Sequence, residues 1–413
     1  MTSVTAAPSP GPATWDPFDA GFLADPYPAY ARLRAEDPVH RTPLGPYVAT
    51  RYADVARVLR DTTLSVRPAA DDRSTVRYVA ARAEIGDDEP VEPSLLRLDP
   101  PDHTRLRRLV QQSFTPRAVR RMREVVARLV DDLLGDLAAG PREVDLLARF
   151  AFPLPFLVIC ELLGLPAGDR DALRAWSRDV TVTLEPLIGD EELRRAVTSN
   201  RSLRGYLRDQ VAAKRAAPGD DLLSELIAAE EAGDRLGGRE LEAMLSLLFV
   251  AGHETTVNLV GNGTLALLRH PDQLARLRHD PGLDAGLADE LLRYDSPVQT
   301  SGRRTIGPIE VGGVELPGRH QVLVALGSAN RDRAVWGEDA DELVLGRPDA
   351  DQHLSFGSGL HVCLGAHLAR LECEVAVPAL VRRFPDLRLA TEHLEWAPRI
   401  VLRGVRELPV RLR

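Results

Sequence analysis

The sequence predicts a mainly α-helical protein with a smaller β-rich part, and three observations carry that prediction. Segments with apolar residues spaced three and four apart recur along most of the chain. One of them, opening at Gly238, stays apolar on nearly every side for roughly thirty residues, the pattern of a helix in the middle of a large protein. Strand-like alternation is confined to one early pair and a few short late segments. Of the 413 residues, 44% are apolar and 27% charged, enough to fill a sizeable core.

The first fifteen residues, "MTSVTAAPSPGPATW", are small and Pro-rich with no apolar period, and are expected to be flexible. A single domain is expected over residues 16–413. Two short amphipathic helices, "YPAYARLRAEDP" and "YADVARVLRD", flank "PVHRTPLGPYVATRY", which reads as a strand pair around a Gly-Pro turn. From Arg67 to Arg97 the pattern breaks into a long, charged, loop-like stretch, and loops of that length in compact domains are usually functional or disordered. A helix opens at "PPDHTRLRRLVQQSF", with Pro101 suited to its first turn.

Helices are then expected over Arg117–Ala139, Leu154–Leu163, Asp169–Val182, Asp190–Ala213 and Asp221–Ala232, followed by the long apolar one. Strands return at "PIEVGGVELPG", at "HQVLVALGS" and in the C-terminal "LRLATEHLEWAPRIVLRGVRELPVRLR". No internal repeat is present.

Charge and cysteine usage narrow the function classes. A formal net charge of −9 argues against nucleic acid as the main partner. Three scattered cysteines, Cys160, Cys363 and Cys373, make no disulfide framework and suit a reducing, cytoplasmic setting. The N-terminus lacks the basic flank and apolar region of a signal peptide. The most apolar run, "AFPLPFLVIC", is too short and too Pro-rich to span a membrane.

The stretch that calls for chemistry is "SFGSGLHVCLGAHLAR", Ser355 to Arg370. A lone cysteine is usually a small buried hydrophobe. Here Gly357, Gly359 and Gly365 imply backbone in close approach to something. Cys363 also precedes the helix "LGAHLARLECEVAVPALVRRF", whose unpaired N–H groups favour a thiolate. By ligand type, zinc could use Cys363, His361 and His367, but the spacing matches no usual closed site. As a nucleotide loop the segment fails the G-x-G-x-x-G pattern. A single thiolate on a haem iron fits both the loop and the lack of further cysteines.

"FGSGLHVCLG" resembles the haem-binding signature of the cytochrome P-450 family, with Phe356, Gly359, Cys363 and Gly365 in place. The resemblance implies the cytochrome P-450 fold, with the long central helix beside a buried haem b. It also implies Cys363 as the iron ligand and His361 as a donor to a haem propionate. Three further constellations extend it. In "AGHETT", Ala251 to Thr256, a glycine and an ionisable residue interrupt an apolar helix, each at a cost unless used. The segment is similar to the family motif in which Thr255 holds an oxygen species and Glu254 relays protons, beside a local helix distortion at Ala251.

Glu290 and Arg293 in "ADELLRYDSP" share a helix face at i,i+3. They resemble the family's buried structural Glu-x-x-Arg pair. His103 and Arg107 in "DPPDHTRLRR" project from one face and suit an anion; the family uses the matching pair on haem propionates. Arg303 aligns with the other propionate arginine, with Arg304 one position away. Where relatives carry a Pro-Asp-Arg-Phe-like segment this chain has "GEDADELVLGR", leaving Arg347 and His353 as candidates for the third member of the ion-pair network.

The reaction implied is monooxygenation of a small organic substrate by dioxygen, as hydroxylation or epoxidation of a secondary-metabolite intermediate. A haem sensor or electron carrier would not need an acid–alcohol pair. A peroxide-driven, coupling or desaturating relative on the same scaffold remains an alternative. Electrons are expected from NAD(P)H through a reductase and a ferredoxin-type donor. Eight arginines against one acid, Glu124, between Arg105 and Arg128 are the expected docking surface for it. A monomer is expected. By analogy, Arg67–Arg97 and "TVTLEPLIGDEELRR" would line the access channel, with Val298 and Gln299 near the haem.

Overall fold

The computed structural model describes residues 13–43, 45–69, 72–166, 169–231 and 236–413. Its axis is the helix Gly238–Arg269, about 48 Å long at the usual rise per residue. Most residues from Leu241 to Leu267 are buried, including the polar His253, Thr256, Asn258, Asn262 and Thr264. Among the described residues it is the one helix long and apolar enough to cross a membrane by length and composition. Here it is wrapped by the helices Pro153–Leu163, Arg170–Thr181, Asp190–Ala216, Leu287–Tyr294 and Ala366–Arg383. Gly261 permits part of that approach: a Cβ there would lie 2.5 Å from Leu147 Cδ2.

The β-rich part is a four-stranded sheet ordered Val39–Arg41, Tyr47–Ala49, Gln321–Ala325, Thr300–Arg304. The outer pairs are antiparallel and the inner pair is parallel, with Val48 opposite Leu323 and Gly302 opposite Leu323 on its other side. A three-stranded sheet joins Glu143–Asp145, Pro409–Arg411 and Arg388–Leu389, and Ile309–Val311 pairs with Val314–Leu316 in a hairpin.

Four details differ from the sequence reading. The expected loop Arg67–Arg97 contains a helix, Arg73–Glu84, and a short 3-10 turn at Leu95–Arg97. Asp72 caps the helix by accepting from the Ser74 N–H, and Tyr78, Ala81 and Ile85 pack on Leu193 and Val197 of a distant helix. Arg77–Asp190 at 2.6 Å and Arg82–Asp87 at 2.9 Å fasten it, so tertiary contacts stabilise what its own sequence hardly favours.

The expected helix Arg117–Ala139 is divided at Met122 into Pro116–Arg121 and Arg123–Ala139. "TSGRR" forms the edge strand Thr300–Arg304, which its weak alternation does not announce. Of the expected flexible start, residues 1–12 lie outside the described residues, while Ala13 and Trp15 are buried in a cluster with Tyr27 and Tyr30. The expected end of the helix at Ala232 also lies outside the described residues.

Candidate functional site: the cysteine loop and its cationic crevice

Between Ser355 and the helix Ala366–Arg383 the chain forms a tight loop with a 3-10 turn at Gly359–His361. Gly357 and Gly359 take φ of 70° and 73°, a region that disfavours side chains. A Cβ on Gly359 would stand 2.8 Å from the Leu59 carbonyl, so the loop lies directly on the end of the helix Tyr52–Arg60. The Cys363 N–H donates to the Phe356 carbonyl at 2.8 Å, and the Phe356 ring lies under the Arg370 guanidinium at 4.7 Å.

The Cys363 thiol lies deep in the protein, yet the residue presents accessible surface. Burial pushes its pKa up, against the opposing pull of the Gly365 N–H, Arg107 and Arg370. A coordinated metal deprotonates such a thiol outright.

Beside the loop four cationic or hydrogen-bond-donating side chains converge from three parts of the chain. His103 and Arg107 come from the helix Asp102–Val110, Arg303 from the edge strand, and His361 from the loop. The His103 ring is 1% exposed, and neither of its nitrogens has a hydrogen-bond partner. It stands 4.2 Å from the His361 ring, centroid to centroid. Burial, His103 and Arg303 push His361 down to about 4, and burial with Arg107 lowers His103. Burial lowers Arg107 and Arg303 as well.

The nearest acid, Asp99, already accepts from the Ser65 hydroxyl at 2.5 Å and the Val66 N–H at 2.9 Å. Buried polar groups are normally paired, so a crevice with this excess of donors is built for an anion. Arg304 turns away toward the Arg67 carbonyl, which settles the one-position ambiguity in favour of Arg303 for this crevice.

Across the core, the central helix runs unbroken through "AGHETT", and the expected local distortion is absent from its helical pattern. The Thr255 hydroxyl donates to the Ala251 carbonyl at 3.1 Å. Glu254 is not simply solvated: Arg399 Nη1 donates to its Oε1 at 3.3 Å, and its side chain is 13% exposed. His253, unmarked by the sequence reading, is fully buried among Phe152, Phe156 and Phe249, with Nε2 3.1 Å from the Ser177 hydroxyl.

Comparison with known proteins gives this site its frame. Residues 285–391 match the family model described as Cytochrome P-450. The chain is 44% identical to "Cytochrome P-450 107B1" of Saccharopolyspora erythraea, covering 95% of this chain and 96% of that protein. It is 45% identical to "Vitamin D(3) 25-hydroxylase" of Pseudonocardia autotrophica, covering 96% of both. The solved structure of the Bacillus subtilis bacillaene polyketide synthase cytochrome P-450, PksS, superposes with a TM-score of 0.85 at 36% identity, over 97% of this chain and all of that one.

The chain belongs to the cytochrome P-450 family. It is a haem-thiolate monooxygenase, and its cofactor is haem b. The donor set fits that group: one free cysteine with accessible surface, and near its loop an orphaned imidazole among cations suited to the two carboxylates of haem b. Among the described residues no group of three or more His, Cys, Asp and Glu could hold a metal ion, so the zinc reading lacks a ligand set.

The ion pair at the centre of the P-450 network is completely buried. Glu290 and Arg293 are 0% exposed and joined by two bonds of 2.7 and 2.9 Å. Arg293 also donates to the carbonyls of Asn330, Ala340 and Glu342. Glu290 Oε1 accepts from the Val344 N–H at 2.8 Å and faces Arg347 at 3.4 Å, which makes Arg347 the third member. His353 pairs instead with Asp289, at 3.1 Å. Gln299, expected near the haem, spends its amide on the Ser296 carbonyl, and Val298 bridges to Leu402.

Proposed function

We propose that Cys363 ligates the haem iron and that His103, Arg107, Arg303 and His361 hold its propionates. Ala251, Phe356, Gly359 and Gly365 supply the remaining contacts. The observation that carries this reading is the fully buried, unpartnered His103 ring beside the buried Arg303, the half-buried Arg107 and the cysteine loop. When bound, haem activates dioxygen so that one atom enters the substrate and the other leaves as water.

The protein handles the protons for that chemistry. Thr255 donates to Ala251 at rest and, after a rotation about χ1, presents its hydroxyl to a neighbouring oxygen. Glu254 replaces the proton that Thr255 passes on, because its carboxylate lies one residue away at the margin of bulk water.

The substrate class is an intermediate of secondary metabolism, hydroxylated or epoxidised. The relatives named for vitamin D(3) 25-hydroxylation and for a polyketide synthase support a sizeable, largely apolar molecule. Electrons arrive from NAD(P)H through a reductase and a ferredoxin-type protein. The exposed Arg108, Arg117, Arg120, Arg121 and Arg123 suit an acidic donor. The enzyme works as a cytoplasmic monomer whose single catalytic domain covers residues 16–413.

The test is the absorption spectrum of the purified protein, reduced and exposed to carbon monoxide. A strongly red-shifted Soret band that is lost in Cys363→Ala is expected. A histidine-type band, or one that survives the substitution, overturns the ligand assignment. For Glu254→Gln and Thr255→Ala with vitamin D3 as probe, a falling product yield per electron is expected. An unchanged yield removes the proton role from these residues.

A further inference from the structure

Glu185 sits in the connection between the helices Arg170–Thr181 and Asp190–Ala216, and it is 7% exposed. Its carboxylate makes no ion pair among the described residues. It accepts instead from three successive backbone N–H groups far along the chain. Oε2 takes Ile400 at 2.7 Å and Val401 at 2.9 Å, and Oε1 takes Leu402 at 3.0 Å. Consecutive N–H groups turned onto one anion form a nest, and the charge makes each bond stronger than a neutral one.

These amides form the tip of a C-terminal hairpin. Its stem is tied by Ala397 N–H to the Gly404 carbonyl and by the Trp396–Val405 bridge. The residue immediately before the nest is Arg399, the partner of Glu254. The other flank of the tip is held by Gln299 N–H on the Val401 carbonyl and by Asn262 on the Arg403 carbonyl.

We propose that Arg399 is a positioning residue for Glu254, and that Glu185 pins the hairpin tip that carries it. The inference rests on the reading of Glu254 as a proton donor, and deepens it. One carboxylate on the 182–189 connection fixes the tip, and the tip fixes the cation that holds Glu254. Release of Glu185 therefore withdraws Arg399 and lets Glu254 turn, so that movement of this connection and proton supply are mechanically joined. Among the described residues, the ionisable groups against Glu254 are Arg399 from the hairpin and His253 on its own helix, 3.9 Å away. His253 is buried and held below its ordinary pKa, chiefly by burial, so Arg399 is the cation that matters near neutral pH.

Two measurements on the full-length holoenzyme test this without any substrate. The first is hydrogen exchange at the Ile400–Leu402 amides. Glu185→Ala should raise it at least tenfold, Glu185→Gln less, and Arg399→Ala should leave it protected. The second is the position of the Glu254 side chain in crystal structures of the variants. In Arg399→Ala it should leave the rotamer that the 3.3 Å contact holds here. Arg399→Lys should restore that rotamer, and Glu185→Ala should leave it only partly occupied.

Unchanged exchange in Glu185→Ala overturns the pin, and an unmoved Glu254 side chain in Arg399→Ala overturns the positioning role. Neither outcome depends on turnover. Failure of the proton-donor reading shows separately, as an unchanged product yield in Glu254→Gln.

Discussion

Two buried cationic regions of this P-450 differ in one respect, and the difference separates architecture from function. Around Glu290 and Arg293 every charge is matched: the guanidinium meets a carboxylate and three carbonyls, and the carboxylate also receives Val344 and Arg347. Around His103 the donors outnumber their partners, and the one acid nearby is already used. A closed network holds elements of the fold in place. An open one is held in place by the fold and completed by a ligand.

The largest effect should come from opening the closed network. Arg293→Met leaves Glu290 buried without its main partner and should destabilise the protein by about 3–5 kcal/mol, read from denaturant unfolding. His103→Leu should do the reverse. It removes an unpaired buried imidazole, so stability of the haem-free protein stays level or rises. Haem affinity should fall about 10- to 100-fold, the worth of a hydrogen bond to a charged group. If His103→Leu unfolds the protein as Arg293→Met does, the crevice is architectural and the contrast collapses.

A third cluster sharpens the comparison through pH. Burial pushes the Asp87 carboxyl up, and Arg82 and Arg204 more than reverse it, holding it at about 2. A group depressed in the folded state contributes stability above its unfolded pKa and loses it as pH falls through the folded value. Asp87 should therefore give up about 2 kcal/mol between roughly pH 4 and pH 2. Urea midpoints of Asp87→Asn should fall less steeply in that window than those of the natural protein; parallel slopes would count against a closed cluster here. The smallest effect is expected at the margin of the first network. Arg347 touches Glu290 at 3.4 Å and otherwise pairs with the half-exposed Asp339. Arg347→Ala should cost only about 1 kcal/mol by the same unfolding assay.

How much could be read in advance divides along the same line. The cysteine loop was legible because glycine spacing, a following helix and one cysteine are local facts. Glu290–Arg293 and His103–Arg107 were legible as pairs because three or four residues make one helix face. Arg347 was legible only as one of two candidates for the network and Arg399 as the partner of Glu254 not at all, because the partners lie 57 and 145 positions apart along the chain. The helix Arg73–Glu84 escaped for a related reason. Its apolar contacts come from Tyr78, Ala81 and Ile85, and two of its ion pairs, Arg77–Asp190 and Glu84–Arg194, reach residues more than a hundred positions away.

By itself the sequence determined the helical class, the buried axis at Gly238–Arg269 and the cysteine loop ahead of the helix Ala366–Arg383. Those properties follow from periodicity and from chemistry within a turn or a loop. The tertiary structure alone decided which charges are matched and which are left open. It also decided that a glutamate at 185 and an arginine at 399 come within reach of the same hairpin tip and helix. Matching is a property of positions in space, and chain folding brings to hydrogen-bond distance groups that no pattern along the chain relates.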